Sequence, residues 1–246
     1  MDVRDKVVII TGASAGIGRE TAQVFAQAGA KLALVARSTD ALNLLADELR
    51  QSGNTNVLAV TTDMTNPAAV QQMVEQVAQH FGRIDILINN AGQAAGGFVA
   101  EVDPEHYHQI MELNIFGPLY AIQAVVPKMR LNGGEGGAII NISSNVSKMA
   151  LPGIGAYAST KYALNGLSLT ARNELAPENI RVIIVYPGLT ATDFGKHALT
   201  TQKYGARVAT GPDGKPRQMP TPDSAEHVAR KILEAAQNEP AEQVMH

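Results

Sequence analysis

The sequence predicts a doubly wound α/β fold, a parallel sheet of six to seven strands with helices on both faces. Short β-branched runs alternate with longer amphipathic segments along the chain, the order that makes parallel strands joined by crossover helices. The strand runs are nearly continuous in apolar residues, as strands covered on both faces must be. The 246 residues, 45% of them hydrophobic, suffice for one sizeable core and leave little room for a second. We therefore read 1–246 as a single domain.

Strands are expected at 7–10, 31–36, 57–61, 84–89, 138–142 and 181–186. Between the second and third, Leu42, Leu45 and Leu49 recur at helical spacing. Val70, Met73, Val74, Val77 and Phe81 do the same behind Asn66-Pro67, an N-cap followed by proline at the first helical position. Ala225, Val228, Ala229, Ile232, Leu233 and Ala236 form a late apolar stripe behind Thr221-Pro222-Asp223-Ser224. No internal repeat is visible.

Composition narrows the function classes. A net charge of −3 and an aromatic content of 4% offer neither the basic face nor the stacking rings of a nucleic-acid binder. The absence of cysteine rules out disulfides and thiolate zinc sites. His106 and His108 fall on different helix faces, and His80, His197, His227 and His246 are scattered, so no metal is expected. The apolar run ahead of Thr11 is only the four residues Val7 to Ile10, too short for a signal-peptide core. No stretch approaches the roughly 20 apolar residues of a membrane span. The expectation is a soluble, cytoplasmic protein without membrane or nucleic-acid partners.

The first chemical signal is Thr11-Gly12-Ala13-Ser14-Ala15-Gly16-Ile17-Gly18, between the first strand and a helix. Glycines at such a turn let the backbone approach a pyrophosphate, while the helix N-terminus attracts the anion. This implies a dinucleotide and a Rossmann-type sheet. The same octet matches the Gly-x-Ser-x-Gly elbow of serine hydrolases at Ser14, but only one strand precedes it, and partners such as Asp193 and His227 can only be picked arbitrarily. The glycines at 134–137 lead into a strand, and we read them as a flexible surface connection.

The second signal is Ser144, Tyr157 and Lys161, with the last two on one helix face. A tyrosine of pKa near ~10 exchanges protons poorly at neutral pH unless a positive charge stabilises its phenolate. At ~4 Å and an effective dielectric of ~20, Lys161 would supply about 4 kcal/mol. That would bring the phenol toward neutrality. Taken alone, a Tyr-x-x-x-Lys pair is more often a solvated surface pair.

These elements occur in order: Thr-Gly-x-x-x-Gly-x-Gly at 11–18, Asn89-Asn90-Ala91-Gly92, Asn114, Ser144, Tyr157-x-x-x-Lys161 and Pro187-Gly188. In that combination the chain resembles the short-chain dehydrogenase/reductase family from residue 7 to about 192. The resemblance implies hydride transfer between a nicotinamide cofactor and a carbonyl or alcohol. Tyr157 would donate the proton, Ser144 polarise the carbonyl, and Lys161 bind the nicotinamide ribose, with Asn114 completing the tetrad. Gly12, Ser14, Ala15, Gly16, Ile17 and Gly18 would hold the pyrophosphate. Asn90, Ala91 and Gly92 would shape the cleft, Asp63 would meet the adenine, and Pro187, Gly188, Thr190 and Thr192 would lie along the nicotinamide. Relatives usually complete a seventh strand and a tail where this chain runs through Gln243-Val244-Met245 to His246.

Asn114 also has a local argument, because Pro118 four positions later has no N–H to return to its carbonyl. A water held there would relay protons from Lys161 to solvent; a simple proline kink is the plainer alternative. Cofactor choice falls at Ala36-Arg37, where an NAD-binding unit would place an acid against the ribose. Arg37 offers a charged fork to a 2′-phosphate. NADP(H) is favoured, with NAD(H) still open, since Ala15 is not the second basic residue many NADP-using relatives carry. The substrate pocket is expected from 93–98, 145–151 and 188–222, the last as a lid hinged at 211–216. A homodimer or homotetramer packed through 104–129 and 157–176 is expected. A non-catalytic NADP sensor or a scaffold would leave the tetrad without a purpose.

Overall fold

The computed structural model describes residues 1–54, 56–200 and 221–245. Seven parallel strands form one sheet: β1 (Val7–Thr11), β2 (Lys31–Ala36), β3 (Val57–Thr61), β4 (Ile86–Asn89), β5 (Gly137–Ile142), β6 (Ile180–Tyr186) and β7 (Glu242–Val244). Their spatial order is β7-β6-β5-β4-β1-β2-β3. Two halves therefore diverge from the β1–β4 junction, the topology in which a crevice opens beyond the strand C-termini.

Strand periodicity sorts side chains into two layers. Val8 and Ile10 of β1, with Leu32 and Leu34 of β2, pack with α1 (Gly16–Gln27), α2 (Thr39–Gln51) and the last helix, α7 (Ala225–Asn238). Val7, Ile9, Ala33 and Val35 face the opposite way. They pack with α3 (Pro67–Phe81), α5 (Gly117–Met129) and α6 (Gly155–Leu175). All five residues of β1 are buried, as a central parallel strand requires.

The helix signals read from sequence have structural counterparts. Asn66 caps α3 by accepting from Ala69 N at 3.1 Å, with Pro67 opening the helix. Ser224 caps α7 by accepting from His227 N at 3.0 Å. The seventh strand is present and short, with Gln243 opposite Val185. β4 starts at Ile86, two residues later than expected, because the buried Asp85 carboxylate takes the Val7 N–H at 2.8 Å and two bonds from Arg83. The 134–137 stretch is not a loose connection. A methyl on Gly136 would lie 1.9 Å from Asn179 O, and one on Gly137 would lie 2.6 Å from Met129 Sδ.

Pro104–Met129 is one continuous helix: α4 (Pro104–Met111), a π-turn (Glu112–Phe116) and α5. Its length and mean hydropathy of 1.2 would suit a membrane span, contrary to the sequence expectation, but half of that window is buried inside the fold. It packs against α3 and α6 on one face of the sheet. Among the described residues no three His, Asp or Glu side chains gather as metal ligands.

Candidate active site

The parallel sheet delivers its strand C-termini to one edge, and the residues singled out above converge there. Thr11 ends β1 and Asn90 follows β4, the neighbouring strand. The Thr11 hydroxyl donates to Ile88 O at 3.2 Å and accepts from Asn90 N and Ala91 N, both at 3.0 Å. Asn90 Nδ2 donates to Thr11 O at 2.9 Å. Both sides of the β1–β4 crevice are thereby fixed to each other. The bracketing role of Thr11 depends on a cross-strand contact that sequence spacing does not carry.

The glycine loop is shaped by close approach. Gly12 has φ +68°, and a methyl on it would sit 2.9 Å from Ala91 Cα. A methyl on Gly18 would lie 2.2 Å from Gly12 O. The helix end beyond is open: Ala15 at the N-cap offers no side-chain cap, and the first turn of α1 holds no acid. These free N–H groups and the positive helix end fit a dinucleotide pyrophosphate. Ser14 and Ile17 flank the same turn. Opposite, Thr192 closes over the loop, its Cγ2 standing 3.3 Å from where a methyl on Gly16 would be.

Arg37 lies exposed at the end of β2, and Asp63 lies just past β3, the strand beside it. Hydrogen bonds from Thr65, with a smaller attraction from Arg37, hold the Asp63 carboxyl below its usual range. In sequence, Ala36-Arg37 stand where an NAD-binding unit would place an acid. The fold brings Asp63 within electrostatic reach of Arg37.

Asn114 is fully buried in the π-turn. The disruption ahead of Pro118 is thus not a simple kink: Gly117 N donates five residues back to Glu112 O. Asn114 Oδ1 accepts from Gln93 N at 2.9 Å, and its Nδ2 donates to Gln93 O at 2.9 Å and to Thr160 Oγ1 at 3.0 Å. Gln93 and Thr160 fix the amide orientation; the sequence places Gln93 only in the pocket lining and does not single out Thr160. Gly92 packs between Asn114 and Lys161, with Asn114 Oδ1 at 3.2 Å and Lys161 Nζ at 3.7 Å from its added methyl position.

Tyr157 and Ser144 are hydrogen-bonded, and Lys161 Nζ lies 5.8 Å from the Tyr157 ring centroid while donating to Ile142 O at 2.9 Å. The expected acidification of Tyr157 by Lys161 is not what the protein environment produces. Burial pushes the Tyr157 phenol up to about 12, with the Ser144 hydrogen bond pulling the other way. Burial also brings the Lys161 ammonium down to about 8. Desolvation disfavours the charged form of each group. Phe194 lies against Tyr157 with ring centroids 5.7 Å apart.

Pro187 and Gly188 follow β6, and Pro187 O accepts from Asn145 N at 3.0 Å, joining that turn to the Ser144 loop. Thr190 donates to Gly188 O at 3.1 Å, and Thr192 accepts from Phe194 N at 3.4 Å. Of the expected lid at 188–222, residues 201–220, including the 211–216 hinge, lie outside the described residues.

A family model described as short chain dehydrogenase matches residues 6–203. The chain belongs to the short-chain dehydrogenase/reductase family. It is 36% identical over 240 residues to dehydrogenase/reductase SDR family member 7B of Bos taurus, covering 95% of this chain and 71% of that one. A short-chain dehydrogenase/reductase from Burkholderia phymatum in complex with NAD superposes with a TM-score of 0.85 at 26% identity, covering 100% of this chain and 90% of the other. An alcohol dehydrogenase from Thermococcus sibiricus complexed with 5-hydroxy-NADP gives 0.81 at 28% identity, covering 98% and 96%.

Membership in a family of dehydrogenases and reductases makes this short-chain dehydrogenase/reductase an oxidoreductase acting on small molecules. The hydrolase reading finds no support. Among the described residues Ser14 has no histidine or carboxylate partner, the Asp193 carboxylate pairs with Lys196, and His227 lies in the first turn of α7.

Proposed function

We propose that the protein interconverts a carbonyl and an alcohol using NADP(H), with Tyr157 as general acid and base. The observation that carries this reading is the gathering of Asn114 and Lys161 around Gly92, with Ser144 beside the Tyr157 phenol and lowering its pKa. In reduction, the carbonyl oxygen sits between the Ser144 and Tyr157 hydroxyls. A dihydronicotinamide held by the glycine loop and the 187–192 segment would supply the hydride chemistry here. Ser144 orients and polarises the carbonyl, and Tyr157 gives its phenolic proton to the nascent alkoxide. Lys161 faces the cofactor ribose from behind Tyr157, where its ammonium stabilises the phenolate left after transfer. Asn114 holds its place through Gln93 and Thr160, and a water beside it passes protons between Lys161 and solvent.

Gly12, Ser14, Ala15, Gly16, Ile17 and Gly18 receive the pyrophosphate, and Arg37 reads the ribose 2′-phosphate. Asp63 meets the adenine. Asn90, Ala91 and Gly92 line the cleft, with Pro187, Gly188, Thr190 and Thr192 along the nicotinamide. Residues 1–246 act as one binding and catalytic domain. Phe116, Tyr162 and Leu169, exposed on the π-turn and α6, support self-association into a dimer or tetramer through these helices.

The test is NADPH oxidation against a panel of carbonyl compounds, with the wild-type protein and Tyr157→Phe. The expected result is turnover of some carbonyl by the wild type and its loss in the variant, with NADPH affinity retained, because only the transferable proton is removed. Turnover by Tyr157→Phe within about tenfold of wild type would overturn the assignment of the acid.

A further inference from the structure

Helix α6 carries Tyr157 and Lys161, and one of its faces meets the C-terminal end of β5 through a polar stripe, Lys161, Asn165 and Ser168, at spacings of four and three residues. Lys161 Nζ donates to Ile142 O at 2.9 Å. One turn further, Asn165 engages two serines: its Oδ1 accepts from Ser143 Oγ at 2.6 Å, and its Nδ2 donates to Ser147 Oγ at 2.9 Å. Next, Ser168 Oγ accepts from Asn141 Nδ2 at 2.7 Å. Three polar side chains of the helix thus meet three consecutive strand residues or their immediate continuation.

The middle contact differs in where it leads. The Ser147 hydroxyl, filled as an acceptor by Asn165, donates at 2.6 Å to the carbonyl oxygen of Ser144. That carbonyl also accepts from Ser147 N at 3.0 Å. Ser143 and Ser147 are 3% and 1% exposed, so water cannot replace either bond when it breaks. The Ser144 side chain, tied to Val146 N at 3.3 Å and to Tyr157, therefore projects from a backbone clamped on both sides by one amide. The contact at Ser168 has no such continuation. Its hydroxyl donates to Leu164 O, within the helix, and Asn141 continues to Asn89 at 2.8 Å, within the sheet.

We propose that Asn165 is a positioning residue, which fixes Ser144 against Tyr157 by holding Ser143 directly and the Ser144 carbonyl through Ser147. This rests on the roles given above to Ser144 and Tyr157. Asn165 needs both arms, an acceptor for Ser143 and a donor for Ser147, and a primary amide supplies both at one side chain. Losing the clamp frees the Ser144 hydroxyl to drift from the phenol, which removes the bond that opposes the burial of Tyr157. The alkaline shift that follows appears in alcohol oxidation, where Tyr157 must first lose its proton: the acid-side limb of the rate profile moves to higher pH.

The experiment compares Asn165→Leu, Ser147→Ala and Ser147→Thr with Ser168→Ala, which cuts the neighbouring helix-to-strand contact and leaves the Ser144 loop alone. Each is measured for kcat, KM, NADPH affinity, thermal midpoint and the pH profile of alcohol oxidation. The 13Cζ resonance of labelled Tyr157 reports its hydrogen bond without requiring turnover. The expected result is a fall in kcat of about tenfold for Asn165→Leu and Ser147→Ala, a shift of the acid limb to higher pH, a moved Tyr157 resonance, and unchanged NADPH affinity. Ser147→Thr restores the hydroxyl and with it kcat, the acid limb and the Tyr157 resonance. Ser168→Ala lowers the thermal midpoint only. The proposal is overturned if Asn165→Leu or Ser147→Ala behaves like Ser168→Ala, or if Ser147→Thr is as impaired as Ser147→Ala. Should Asn165→Leu not fold, the Ser147 pair decides alone. Absence of wild-type turnover on every carbonyl would refute the proposed function, whereas an unmoved Tyr157 resonance would refute the clamp.

Discussion

Lys161→Met should make the protein more stable at neutral pH while abolishing turnover. The ammonium is 4% exposed, and burial brings it from an ordinary 10.5 to about 8. At about pH 7 the charged lysine therefore costs the fold on the order of 3 kcal/mol. Methionine fills a similar volume without charge, but forfeits the bond from Nζ to Ile142 O, worth about 1 kcal/mol. The net expectation is a gain of about 2 kcal/mol. Because the folded value lies below the unfolded one, the unfolded chain binds the extra proton between about pH 8 and 10.5, so lysine's penalty fades as pH rises through that window. At about pH 10 it falls below about 1 kcal/mol, and the advantage of methionine should vanish. Tyr157 acts in the opposite sense further up, its folded value of about 12 exceeding the ordinary 10, so it draws stability down above about pH 10 in both proteins. Urea unfolding of wild type and variant at about pH 7 and 10, with NADPH turnover alongside, measures each part. A variant no more stable than wild type at neutral pH, or an advantage that does not change with pH, would refute the reasoning.

Gly18→Ala should cost about 3 kcal/mol or more in urea unfolding and weaken NADPH at least about tenfold in fluorescence titration, because its methyl would clash with the backbone oxygen of Gly12 at 2.2 Å. Arg37→Ala should weaken NADPH by about ten- to a hundredfold and NADH little; dissociation constants for both cofactors at one ionic strength check this, and an unchanged ratio means the 2′-phosphate is read elsewhere. Sedimentation at micromolar concentration should show a dimer or tetramer, and Leu169→Glu, placing a charge on the exposed face of α6, should shift it toward monomer.

The β1-to-β6 framework was legible because each strand is apolar on both faces, and that property survives in a bare sequence. The start of β4 was misplaced because Asp85 sits in the ladder with its carboxylate acting as a main-chain acceptor, which residue type alone does not announce. The tetrad was legible as spacing, and its members do converge. The direction of the Tyr157 shift was not, since a helix-face argument supplies the distance between two groups and says nothing of the water around them. The proximity of Asp63 to Arg37 was hidden for a related reason: they are 26 positions apart on paper and on adjacent strands in space. Asn165 was missed because its partners lie in a loop whose path only the 3₁₀ turn at Asn145–Lys148 defines.

The π-turn at Glu112–Phe116 bears on how this helix tolerates changes of length. A π-turn is an α-helix with one residue too many, taken up by a single wider ring, so the helices before and after it keep the phase of a chain one residue shorter. Removing Leu113 should let the two flanking segments merge into one unbroken helix. Ala121 and Val125 would keep their fully buried places, whereas an ordinary deletion elsewhere in α5 would turn them by about 100°. The shortened protein should melt within a few degrees of its parent and show the same circular dichroism, yet have no turnover, because the side chain now at Asn114 would no longer reach Gln93 and Thr160. The surplus residue is thus dispensable to the architecture and reserved for the chemistry, and a deletion scan along 104–129 would find that single permissive gap.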